Sequence, residues 1–145
     1  MTEEMDDPRP LTNHAEGEAA TLIAFLDYQR MTLEWKCSRL DDAQLAERLP
    51  TSALSLGGML RHLTRVEDYW FSECLGRRDT SLAPWDTLEW AAEWDDHVAF
   101  TGDALRAEWG AAILRSRAVV DTRLAEGDGA LDVRYPAWGG NGSVT

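Results

Sequence analysis

From Ser55 to Cys74 the apolar residues Leu56, Met59, Leu60, Leu63, Val66, Trp70 and Cys74 recur every three or four positions. Only a helix, with 3.6 residues per turn, gathers such positions onto one face. Ser55 stands where an N-cap belongs and Gly76 where a helix stops. A helix carrying one continuous apolar face must bury it against other elements. What the rest of the chain offers for that purpose is more helix.

Ala19, Leu22, Leu26, Leu33, Cys37 and Leu40 repeat the same spacing, which predicts a first long helix ending near Leu40. Asp41 with Gln44 three residues on is a capping-box pattern, opening a short piece that ends before Pro50. Leu105, Trp109, Ala112, Ser116, Val119 and either Arg123 or Leu124 mark a third long helix, with Thr101 or Asp103 as its cap. Residues 77–102 hold Pro84, scattered acids and the large rings Trp85, Trp90, Trp94 and Phe100, and read as a long connection that packs. Leu131–Pro136 reads as a short extended piece before the glycine-rich turn at 139–142.

Three long amphipathic helices predict an all-α chain, an antiparallel helical bundle. Residues 1–14, acidic and interrupted by Pro8 and Pro10, read as an irregular arm, and 15–145 as one domain. Bundles patterned this way close with a fourth helix. Ser143 or Thr145 reads as the cap of that helix, which would then follow Thr145.

Charge narrows the function. With 26 acidic against 14 basic residues the 145-residue chain carries a formal charge of −12, which disfavours a phosphate backbone as partner. No apolar run approaches the roughly 18–20 residues of a membrane span, and the acidic start is unlike a cationic signal peptide. Two cysteines outside any CxxC spacing are not a disulfide scaffold. The expectation is a cytoplasmic protein that binds neither nucleic acid nor membrane.

Few residues stand out for chemistry. His62 falls about a quarter-turn from the apolar centre of its helix, where it is either a boundary histidine bonded to a neighbour or part of a site. Glu67 falls inside the apolar arc between Leu60, Leu63 and Cys74, where an unpaired carboxylate is costly. It calls for a partner, an arginine such as Arg30 or Arg123, or a hydrogen bond in the second shell of a metal. Asp95-Asp96-His97 has cation-binding residue types, but three neighbours in a turn point in different directions. Trp35, Trp70 and Trp109 fit a core or an interface, and Trp85, Trp90 and Trp94 either line a pocket mouth or pack. Cys37 and Cys74 read as small buried hydrophobes rather than nucleophiles.

Taken together, Phe25-Leu26-Asp27-Tyr28-Gln29-Arg30-Met31-Thr32-Leu33, Lys36-Cys37, Leu40-Asp41-Asp42-Ala43-Gln44-Leu45, Ser55-Leu56-Gly57-Gly58-Met59-Leu60-Arg61-His62-Leu63 and Val66-Glu67 resemble the DinB superfamily of four-helix-bundle metalloenzymes, in its actinobacterial mini-circle-protein-like branch. The resemblance covers most of residues 16–76 and, more loosely, the third long helix. It implies that His62 matches the first ligand of a divalent cation, zinc or nickel, whose other two ligands come from a His-x-x-x-His motif on the fourth helix. No such motif occurs within the 145 residues, so metal binding is expected of an intact gene product carrying that helix and only weakly, or not at all, of this chain. The resemblance also implies a transferase or isomerase using a low-molecular-weight thiol such as mycothiol as cosubstrate. An open metal position suits that role, because it holds a bound thiol as thiolate.

The competing reading is a non-catalytic helical module without a complete metal site, acting through self-association or ligand binding. In either case the exposed apolar face left by three helices predicts a homodimer. Small-molecule thiols and electrophiles are the other expected partners.

Overall fold

The computed structural model describes residues 9, 17–77, 82, 84–89, 92–127, 132, 135–136 and 143–144. Among the described residues the chain is all-α, as the periodicity predicts, apart from one pair of two-residue strands. It divides into two compact units, Met1–Arg39 and Leu40–Thr145.

The first unit is built on α1, Glu18–Cys37, which Gly17 enters at φ 96°. That angle lies in the left-handed region where a side chain is strained. Arg30 pairs with Asp27 one turn back at 2.9 Å. Of the expected arm, only Arg9 is among the described residues. Its guanidinium lies over the rings of Tyr28 and Trp35 and donates to Thr32 Oγ1 at 2.9 Å. The apolar stripe assigned to this helix is only partly right, since Leu22 is exposed while Cys37 is fully buried.

In the second unit the local signals hold. In α2, Asp42–Ala46, the Asp41 carboxylate accepts the Gln44 N–H at 2.8 Å, and the Gln44 side chain accepts the Asp41 N–H at 3.0 Å. Ser55 Oγ accepts the Gly58 N–H and starts α3, Leu56–Glu67. The helix then widens into a π-helical segment, Asp68–Leu75. Gly76 follows as the expected stop, in a right-handed conformation. The residue with positive φ is Arg77, and Gly76 is needed because a Cβ there would collide with the Ser72 carbonyl.

The expected connection contains α4, Glu93–Asp96, and a 3₁₀ turn, His97–Ala99. Thr101 caps α5, Gly102–Leu124, by accepting the Ala104 N–H. α5 packs along α3 and its π-helical extension, and α4 packs on the first turns of α3. Leu45, Leu60, Trp85, Leu105, Trp109, Ala112 and Ile113 form the core.

Beyond α5 the strand β1, Tyr135–Pro136, pairs antiparallel with β2, Ser143–Val144. This corrects the reading of Ser143 as the cap of a further helix. Paired with Pro136, its backbone is extended and committed to a strand. Thr145 lies outside the described residues.

The largest departure concerns which face of α3 is buried. Apart from Leu60, the buried positions are Gly57, Gly58, Arg61, Thr64, Arg65 and Glu67, continued by Asp68 and Ser72. Leu56 and Trp70, both on the predicted apolar face, are 37% and 38% exposed.

Candidate active site around His62

The polar stripe of α3 is buried because other parts of the chain neutralise it. Arg61, 2% exposed, makes a forked contact with Asp96 (Nε to Oδ1 3.1 Å, Nη2 to Oδ2 3.1 Å) and pairs with Glu108 of α5 at 2.6 Å. Its guanidinium also lies over the rings of Trp85 and Phe100, 4.3 and 4.4 Å from their centroids. The charge is thus surrounded by two carboxylates and two ring faces, which together offset its desolvation. One turn on, Arg65 donates to the Leu88 carbonyl at 2.7 Å. Asp68, also 2% exposed, accepts Trp85 Nε1 at 2.9 Å and both Nε and Nη2 of Arg115 at 3.0 Å. Trp85 is therefore a structural ring and no part of a pocket mouth.

These contacts fasten residues 85–89 and 92–97 along α3 and set the surroundings of His62. Gly57 and Gly58 let it approach: a Cβ at Gly57 would stand 2.7 Å from His97 Cδ2, and one at Gly58 2.9 Å from the Trp94 carbonyl oxygen. His97, 2% exposed, has Nε2 3.0 Å from Ser55 Oγ, while its Nδ1 is buried without a hydrogen-bond partner. His62 itself is half-buried at the rim of this contact. Its imidazole lies on the Trp94 indole, with centroids 4.2 Å apart and planes 23° from parallel.

Asp95, Asp96 and His97 go to three different partners, Arg48, Arg61 and Ser55, so this triplet does not converge on a cation. Glu67 is buried and its backbone carbonyl faces Ser116 Oγ at 3.5 Å. It lies five residues from His62, about 140° away round the helix axis, so α3 alone does not bring the two together. Arg123, one suggested partner for Glu67, gives its Nε to the Leu75 carbonyl and pairs with Glu126. One arginine–carboxylate pair of this turn is Asp68–Arg115.

On the π-helical segment the wider turn sets Tyr69 beside Cys74, five residues on, and their side chains hydrogen-bond. Burial, then the bond to Cys74 and the Glu73 charge, pushes the Tyr69 hydroxyl up to about 12. The Cys74 thiol is also pushed up, by burial first, with the Tyr69 hydrogen bond pulling it partly back. A raised thiol pKa fits the reading of Cys74 as an unreactive side chain. A cleft of about 120 Å³ lies between α2, the 3₁₀ turn and the start of α5, lined by Asp42, Leu45, His97, Phe100 and Leu105 among others, and His62 is not among its lining residues.

The family model described as mycothiol-S-transferase matches residues 21–144. The chain belongs to the mycothiol S-transferase family. This family lies in the DinB/YfiT-like superfamily that the sequence resembles. No curated protein and no solved structure matches the chain significantly. Superfamily resemblance assigns His62 to a divalent cation, yet among the described residues no three of His, Cys, Asp and Glu gather to hold one. The described donors therefore do not fit a metal centre. No helix among the described residues is long and apolar enough to cross a membrane.

Proposed function

We propose that the chain joins the sulfur of mycothiol to an electrophile, with His62 as the imidazole that handles the thiol proton. The observation that supports transfer from mycothiol is the family match over residues 21–144, which covers most of α1 and all of α3 and α5. The chemistry needs an acceptor for the S–H proton, because the thiolate is the nucleophile. Imidazole ordinarily titrates near neutrality and serves that purpose. In the step proposed, the S–H bond breaks, the His62 ring takes the proton, and a sulfur electron pair forms the new S–C bond as the carbon–halogen bond, the epoxide C–O bond or the maleimide C=C π bond at that carbon breaks. The proton then passes to the departing halide or solvent, to the epoxide alkoxide, or to the enolate carbon of the maleimide.

His62 is suited to this by its place at the rim of the α3–α4 contact, where one ring face is covered by Trp94 and the side chain is only half-buried. The proton transfer is assigned to the His62 imidazole, and no step is drawn through a metal. Incubating the purified chain with mycothiol and a panel of epoxides, maleimides and alkyl halides, with mass detection of S-conjugates, tests the reading. His62→Ala should lower conjugate formation by about 10²-fold or more. Formation no faster than in the protein-free control, for every electrophile tried, would overturn the transfer function.

A further inference from the structure

We propose that Trp94 is a positioning residue for His62, fixing the plane in which the imidazole presents its nitrogens; this rests on the reading that His62 handles the thiol proton. A histidine half-exposed on a helix rotates about its terminal torsion, whose energy wells are broad. Here the indole restricts that freedom by lying on the ring at 4.2 Å, with only 23° between the planes.

The backbone that carries Trp94 is fastened to α3 at and just after that residue. Its carbonyl oxygen sits flush on Gly58, where a Cβ would come to 2.9 Å. Two residues on, Asp96 takes the fork of Arg61, the neighbour of His62 in the chain. Three residues on, His97 lies against Gly57 and contacts Ser55 Oγ. The attachment points at 55, 57, 58 and 61 thus lead directly to the stacked ring at 62.

An aromatic pair of this geometry biases a side-chain equilibrium by roughly two- to tenfold. Trp94→Ala should therefore lower kcat by that factor with little change in KM, and Trp94→Phe should restore most of it. Gly58→Ala should act in the same direction by displacing the Trp94 carbonyl. The spectroscopic readout is the His62 ring protons, assigned by their loss in His62→Ala. They should resonate upfield in the parent protein under the indole ring current, return toward the random-coil position in Trp94→Ala, and lie between in Gly58→Ala. If His62→Ala leaves transfer unchanged, the reading of His62 fails. If His62→Ala abolishes transfer while Trp94→Ala keeps full kcat, the positioning role fails. It also fails if the parent His62 protons already sit at random-coil positions, a result obtainable even if Trp94→Ala does not fold.

Discussion

Removing Arg115 should destabilise the protein more than removing Asp68, although the two form one ion pair. Asp68 is 2% exposed, whereas the Arg115 side chain is 44% exposed. In Arg115→Ala the carboxylate stays buried with two of its three hydrogen bonds gone and only Trp85 Nε1 left, at 2.9 Å. Breaking a buried pair from one side costs about 3–5 kcal/mol. The remaining indole bond and the exposed position of Arg115 place this case near the lower end, about 3 kcal/mol. In Asp68→Ala the guanidinium returns to water at little cost, and the main loss is the buried Trp85 N–H left without an acceptor, about 1–3 kcal/mol. We expect about 2 kcal/mol. Once Asp68 is gone, removing Arg115 as well should cost less than about 0.5 kcal/mol, the range of a surface change. Urea unfolding of the parent, both single variants and the double variant gives the cycle, and Arg115→Ala should lower Tm by roughly 10 °C for a chain of this size. If both single variants lose less than 0.5 kcal/mol, or the two effects simply add, Asp68 is not the buried, dependent anion described.

Ser55→Ala should cost more than the ~1 kcal/mol of an ordinary N-cap, because the same hydroxyl is the hydrogen-bond partner of buried His97. A total of about 2–3 kcal/mol in chemical denaturation is expected, and a loss of 1 kcal/mol or less would show that the imidazole finds another partner. Tyr69 makes stability depend on alkaline pH. Its folded value of about 12 lies above the unfolded value of about 10, so its contribution is complete below pH 10 and is lost as pH rises toward 12. Tyr69→Phe should flatten the stability profile in that window and remove the most alkaline phenolate transition at 295 nm; an unaltered profile would show that the hydroxyl is not held in its neutral form.

The features legible in the sequence are those that a few adjacent residues decide. The capping box of Asp41 and Gln44, the Ser55 and Thr101 caps, the long helices and the burial of Leu105, Trp109, Ala112 and Ser116 on α5 all follow from spacings of three or four residues. Such interactions close within one helical turn and need nothing else from the chain. The motif around His62 also sufficed to indicate the superfamily, because residue order is all that a resemblance requires. Trp94 was visible as one of several aromatic residues in an irregular connection, but nothing in its neighbourhood marked it as the ring that meets His62.

The buried face of α3 was decided by the tertiary structure. A helical wheel ranks positions by their own side chains, and on that measure Arg61, Arg65 and Asp68 belong outside. They are inside because Asp96, Glu108, Arg115, the Trp85 indole and the Leu88 carbonyl come to them from 17 to 47 residues away in sequence. A buried charge is tolerable only with such partners, and whether partners arrive depends on how residues 85–89, 92–97 and α5 pack rather than on any local spacing. Local sequence determined where the helices begin and what they resemble, while long-range neutralisation of charge determined which side of α3 faces inward and which ring lies on His62.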